Sequence, residues 1–202
     1  MLLLQSQGTD VGEGLRTALV NMHELAEQVI CYSEDMEYMP GRSDLMRLPD
    51  ALLPRLSFQL DHLLHNNEDM RDALSKWADQ KGLVIGFDQW HLGPQIMWLQ
   101  GGSLSIKENR VSFFTFLPQP KSRGTGEVTN SAAEQEPRFE GIIERPIAQG
   151  QFVYSSVRCR VGDVIILEGQ ERLLLHKEGE AGPPRRGICL LACVLCTAPG
   201  TG

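Results

Sequence analysis

At Leu83 the spacing of the apolar residues changes, and that change constrains the fold more than any other feature of the chain. Before it, apolar side chains recur at steps of three and four, which puts a stripe along one side of a helix. After it they come in short continuous or alternating runs rich in β-branched and aromatic residues, which suits strands. Leu15, Ala18, Leu19, Met22, Leu25, Ala26, Val29 and Ile30 predict a first amphipathic helix, with Thr9 or Asp10 as its cap. Pro49 and Asp50 open a second, striped by Leu52, Leu53, Leu56, Leu60, Leu63 and Leu64, with Pro54 near its first turn. Asn66 and Asn67 interrupt the chain. Met70, Ala73, Leu74, Trp77 and Ala78 then give a third helix, which Gly82 can stop in the left-handed conformation.

Beyond Leu83 the runs Leu83-Val84-Ile85, Ile96 to Leu99, Leu104 with Ile106, and Val111 to Phe116 predict an antiparallel β meander over 83–117. Gly101-Gly102 reads as its hairpin turn, because primed turns need positive φ. Residues 118–137 are rich in Pro, Gly, Ser, Thr, Gln and Glu and offer little to bury, so they read as a linker or loop. Ile142-Ile143, Phe152-Val153-Tyr154, Val164 to Leu167, Leu173 to Leu175 and the apolar run Ile188 to Cys196 predict a second β-rich region. The expected fold class is α+β. Its parts are a helical region plus meander over 9–117, a flexible segment over 118–137, and a small β-rich region over 138–196 that need not be a complete fold.

Charge narrows the partners. Residues 1–100 carry 7 Lys and Arg against 15 Asp and Glu; residues 101–202 carry 12 against 11, for a net of −7. An acidic front and a neutral rear give no broad attraction to phosphate backbones, so nucleic acid is not an expected partner. No apolar run approaches the ~18 residues of a membrane helix, so no transmembrane segment is expected. Met1-Leu2-Leu3-Leu4 lacks a basic flank and stops at Gln5, short of the roughly 7–15 apolar residues of a secretory signal. Five cysteines, an odd number, do not read as a disulfide scaffold. These features place the chain inside the cell, in cytoplasm or nucleus.

Several groupings could carry chemistry. Cys189, Cys193 and Cys196 have a CxxxCxxC spacing that resembles the cluster-binding signature of radical SAM enzymes. That motif lies early in a long barrel, whereas this one follows the other elements, and the residues between its cysteines read as core. Arg185-Arg186 beside the same run would suit palmitoylation. His62 and His65 sit three apart on the second helix, near Glu68 and Asp69, but no third ligand is forced close. No metal or cofactor is expected. The chain has no Gly-x-Ser-x-Gly, no phosphate loop and no H-E-x-x-H. An enzyme would therefore need a dispersed site, with His91 and Asp88, or Cys31 and a distant histidine, as its best members.

Tyr154, Val157 and Val161-Gly162-Asp163-Val164 are similar, over about a dozen residues, to the opening strands of bromo-adjacent homology domains. They are as similar to the Gly-Asp turn of other small barrels, and the likeness ends after Leu167. It implies a chromatin-associated β module, with no peptide-binding residue carried over. Arg158 and Arg160 share one strand face, near Arg172 and Lys177, which a nucleic-acid surface could use.

The most unusual segment is Phe87-Asp88-Gln89-Trp90-His91-Leu92-Gly93-Pro94, expected as a loop between two strands, with Trp98 on the next. Phe87, Trp90, His91 and Trp98 are the candidate binding residues, since large rigid rings anchor recognition surfaces. The alternative is that Trp90 and Trp98 cover the core. The functional expectation is a non-catalytic adaptor or complex subunit. It would bind other proteins through its leucine-striped helices or its C-terminal apolar run.

Overall fold

A computed structural model describes residues 1–5, 13–29, 33–49, 54–105, 107–117, 138–148, 150–160, 162–174 and 188–199. Among the described residues there are three α-helices: α1 (Glu13–Val29), α2 (Pro54–Asn66) and α3 (Glu68–Gln80). Pro54 is the first residue of α2, where its missing N–H costs nothing; Pro49, expected to open the helix, lies outside it, and residues 50–53 lie outside the described residues. Asn67 caps α3, its side-chain oxygen accepting the Met70 N–H at 2.9 Å. Gly82 follows α3 with φ 62°, the left-handed stop the sequence indicates.

The strands are β1 (Leu2–Leu4), β2 (Glu37–Tyr38), β3 (Leu45–Arg47), β4 (Leu83–Leu99), β5 (Ser103–Ser105), β6 (Arg110–Leu117), β7 (Arg138–Ala148), β8 (Gln151–Arg160), β9 (Val164–Glu168), β10 (Arg172–Leu174) and β11 (Ile188–Pro199). They form two antiparallel sheets. The larger has the order β1-β9-β6-β11-β4-β3-β2, the smaller β5-β10-β7-β8. The chain is thus mixed, helices with mostly antiparallel sheet.

The larger sheet is the middle of three layers. Leu15, Leu19, Leu60, Leu63, Leu64, Met70, Leu74 and Trp77 of the helices bury against one face, meeting Ile96, Val111, Phe113, Val164, Ile166, Cys193 and Leu195. Leu104, Ile143, Val157, Cys159 and Leu173 of the smaller sheet cover the other, meeting Met97, Leu99, Phe114, Phe116, Ile165, Leu167 and Ala192. A strand covered on both faces has few polar alternate positions, which is why Val164 to Leu167 reads as an unbroken apolar run and Phe113 to Leu117 as one interrupted only by Thr115, itself buried.

Several expectations are corrected. There is no meander over 83–117: β11 inserts between β4 and β6, and β5 belongs to the smaller sheet. Strands from before and after 118–137 are hydrogen-bonded to one another in both sheets; that segment lies outside the described residues. Gly101-Gly102 is not a hairpin turn but the passage from β4 in one sheet to β5 in the other. Here Gly102 has φ 74°, and a Cβ on it would collide with the Asp44 carboxylate. Arg42 holds that carboxylate by two bonds of 2.7 Å and also donates to the Ser103 carbonyl at 3.0 Å, pinning the passage. Gly102→Ala is therefore expected to cost about 2 kcal/mol, read by urea unfolding, through backbone strain and the displaced ion pair.

The proposed docking surfaces of the sequence reading are also corrected. Among the described residues, Leu15, Leu19, Leu60, Leu63, Leu64 and Leu74 of the helices are buried in the core between helices and sheet. The C-terminal apolar run is the central strand β11, with Cys189, Ala192, Cys193 and Leu195 buried. The fold itself hides these residues.

Candidate interaction surface

The candidate residues of the 87–98 segment lie on β4, not in a loop. The segment is a bulge: between Ala192 and Cys196, four residue steps of β11 face nine steps of β4, from Gln95 to Gly86. Bulges re-aim side chains. Phe87 is half-buried on the helix side, where the His65 ring meets it edge-on at 6.5 Å and the Arg71 guanidinium sits 5.8 Å from its centroid. Trp98 also packs on the helix-side core, and its indole N–H has no acceptor among the described residues. His91 is exposed and touches the Arg110 guanidinium through Nε2. The side chains of Trp90 and Asp88 lie outside the described set, as does Cys31. Phe87 and Trp98 thus share one environment, and His91 lies apart from it, on Arg110.

His65 pairs with Asp61 at 3.3 Å, while His62 is exposed; no group of three possible metal ligands occurs among the described residues. Cys189 and Cys193 are buried four residues apart on β11, roughly 13 Å of strand, and Cys196 points to the opposite face. Three thiolates so placed cannot converge on one cluster. Burial pushes the Cys193 thiol well above its ordinary range and Cys159 up to about 12, so neither is a ready nucleophile.

Sequence reasoning missed the surface that stands out. β7 and β8 pair along their length and turn through Gly150, φ 71°. β10 reaches only as far as Glu144 on β7. Past that point the two strands form an arm with no third strand beside it among the described residues. All of Gln151 to Ser156 is exposed, including Phe152, Val153 and Tyr154, the last at 58%. Ile147, at the register shift between Pro146 and Ala148, is exposed as well. Neighbouring strand residues face opposite sides, so both faces of the arm carry apolar groups. Elsewhere the exposed apolar residues, such as Val20, Phe58 and Val84, belong to separate elements.

The root of the arm is fixed by charge. Arg145 donates to the Glu171 carboxylate at 2.7 Å, which also takes the Met1 ammonium at 2.9 Å and the Glu168 N–H at 3.1 Å. Burial alone would raise the Glu171 pKa. The Met1 ammonium, the Glu168 N–H and Arg145 outweigh it and hold the carboxyl below its ordinary range. On the outer face Arg172 pairs with Glu144 at 3.2 Å. Tyr154 lies beside that carboxylate; desolvation and Glu144 together raise its phenol pKa.

No family model matches the chain, and no curated protein matches it. Among solved structures, vicilin from Corylus avellana (hazelnut) aligns with 79% of this chain at 10% identity and a TM-score of 0.33. The chain spans 31% of that protein's length, and a likeness of this degree carries no argument about fold or function.

Proposed function

We propose that this chain is a non-catalytic interaction protein, an adaptor or a subunit of a larger assembly, and that it docks through the β7–β8 arm. The observation that carries the reading is the run of six exposed residues on β8, apolar on both faces, at an edge with no strand beyond it among the described residues. Exposed edges and apolar patches are where chains add strands and bind partners. The same region weighs against a phosphate-binding role. Arg145 and Arg172 are spent on Glu171 and Glu144, which cancels charge that nucleic acid would need.

The test compares the full chain with the double variant Phe152→Ser, Tyr154→Ser as bait for proteins from its own cells. Both side chains are exposed, so the fold is expected to persist, checked by circular dichroism. Retention of specific partners should fall about tenfold or more in the variant, since ring anchors dominate such contacts. Equal retention by both would exclude the arm as the docking surface.

A further inference from the structure

We propose that the partner which fits the arm is a second copy of this chain, joined edge to edge through β8 in an antiparallel pair. The inference rests on reading the arm as a docking surface and names its occupant.

Among the described residues β8 is the outer strand of the smaller sheet. From Gln151 to Val157 it contains no charged residue and no proline, the devices that usually blunt an edge. The register shift near the turn lies on β7, so it leaves the outer strand regular. An occupant must bring an equally open antiparallel edge with compatible side chains, and β8 meets its own requirement. A two-fold axis normal to the sheet keeps each face with its like. With the axis at Val153, Val153 meets Val153 of the second copy on the inner face. On the outer face Phe152 meets Tyr154 of the second copy, twice, a pairing of rings that favours cross-strand neighbours. Gln151 and Ser155 then pair as two polar side chains.

The charges fit this register. Arg158 stands five residues from the axis, so its two copies lie about 33 Å apart along the seam. Sliding the axis toward Ser156 would bring the arginines of the two copies together. The ionic groups nearest the seam, Arg145 and Glu144, are already held by Glu171 and Arg172. Two four-stranded sheets would become one of eight, and the interface is isologous and closed.

Sedimentation of the full-length chain tests this. Wild type should shift from monomer to dimer with concentration, with a Kd on the order of 10 µM, as suits a small interface. Val153→Lys and Val153→Glu, each placing like charges on the axis, should both be monomeric at concentrations where wild type is dimeric. Mixing the two variants should restore a dimer containing one of each. Amide exchange at Val153 and its neighbours should slow as wild-type concentration rises. A wild type that stays monomeric overturns the proposal, and so does a dimer unaffected by either variant or a mixture that fails to reassociate. A monomeric chain that still captures other proteins through Phe152 and Tyr154 overturns self-pairing and leaves the docking role intact. A monomer without such capture removes both.

Discussion

Replacing Phe113 with alanine is expected to remove about 4 kcal/mol of stability, the upper range for deleting a buried ring. Phe113 is 2% exposed in the middle of β6, between Cys193 on β11 and Ile166 on β9. Its ring faces the helix layer, in the cluster that includes Leu60, Leu64, Met70 and Leu74. Removing it opens a space that a sheet covered on both sides cannot close by shifting inward, because the smaller sheet supports the opposite face. Urea unfolding at neutral pH measures the loss. Phe113→Leu, which refills most of the volume, should recover more than half of it. A loss below about 1 kcal/mol for the alanine variant would show that the helices do not pack on this face as described.

Glu171→Ala should cost about 3 kcal/mol at neutral pH, the range for breaking a buried ionic group by deleting one member. The carboxylate is 2% exposed and accepts bonds from three separate elements, so its removal strands the Glu168 N–H and releases Arg145. Arg145 is 46% exposed and can turn to water, which keeps the estimate at the low end. The pH dependence follows from the direction of the shift. A carboxyl whose folded pKa is depressed binds fewer protons folded than unfolded. Its contribution is complete above its ordinary value of 4.5 and is lost as pH falls through the lower folded value. The stabilities of wild type and variant should therefore converge in acid and stay apart above about pH 5. A constant gap down to pH 2 would mean that the carboxylate is not held by these charges.

The helices were legible because each is covered on one side only. Leu15 and Leu19, Leu60 and Leu64, Met70, Leu74 and Trp77 fall at helical spacing for that reason. Most strands were legible as apolar runs, but their order was not. The run 188–196 carries no local mark that it belongs between β4 and β6, because pairing partners distant in sequence leave no trace in composition. That same run reads as uncovered in the sequence, whereas Cys189, Ala192, Cys193 and Leu195 are buried in the central strand. The arm was hidden for the opposite reason: Phe152, Val153 and Tyr154 look like core residues, and nothing local marks that they lie on the outer strand of the smaller sheet, exposed to solvent. The 87–94 segment stood out by its rings and its Gly-Pro, and it is where β4 departs from regular pairing, although the extended backbone continues through it.

The position of β11 has a consequence for how the polypeptide matures. A ribosome that has made the helices, β4 and β6 has made two strands whose shared neighbour is still to come, some 70 residues beyond the end of β6. Until that neighbour emerges, β4 and β6 present bare flanks to each other, and the shortest route to relief is to zip together wrongly. Completion of the larger sheet thus waits for β11 and must win a race against premature closure. Slowing translation early in the message should matter little to yield, whereas a chaperone that shields those two flanks should matter a great deal.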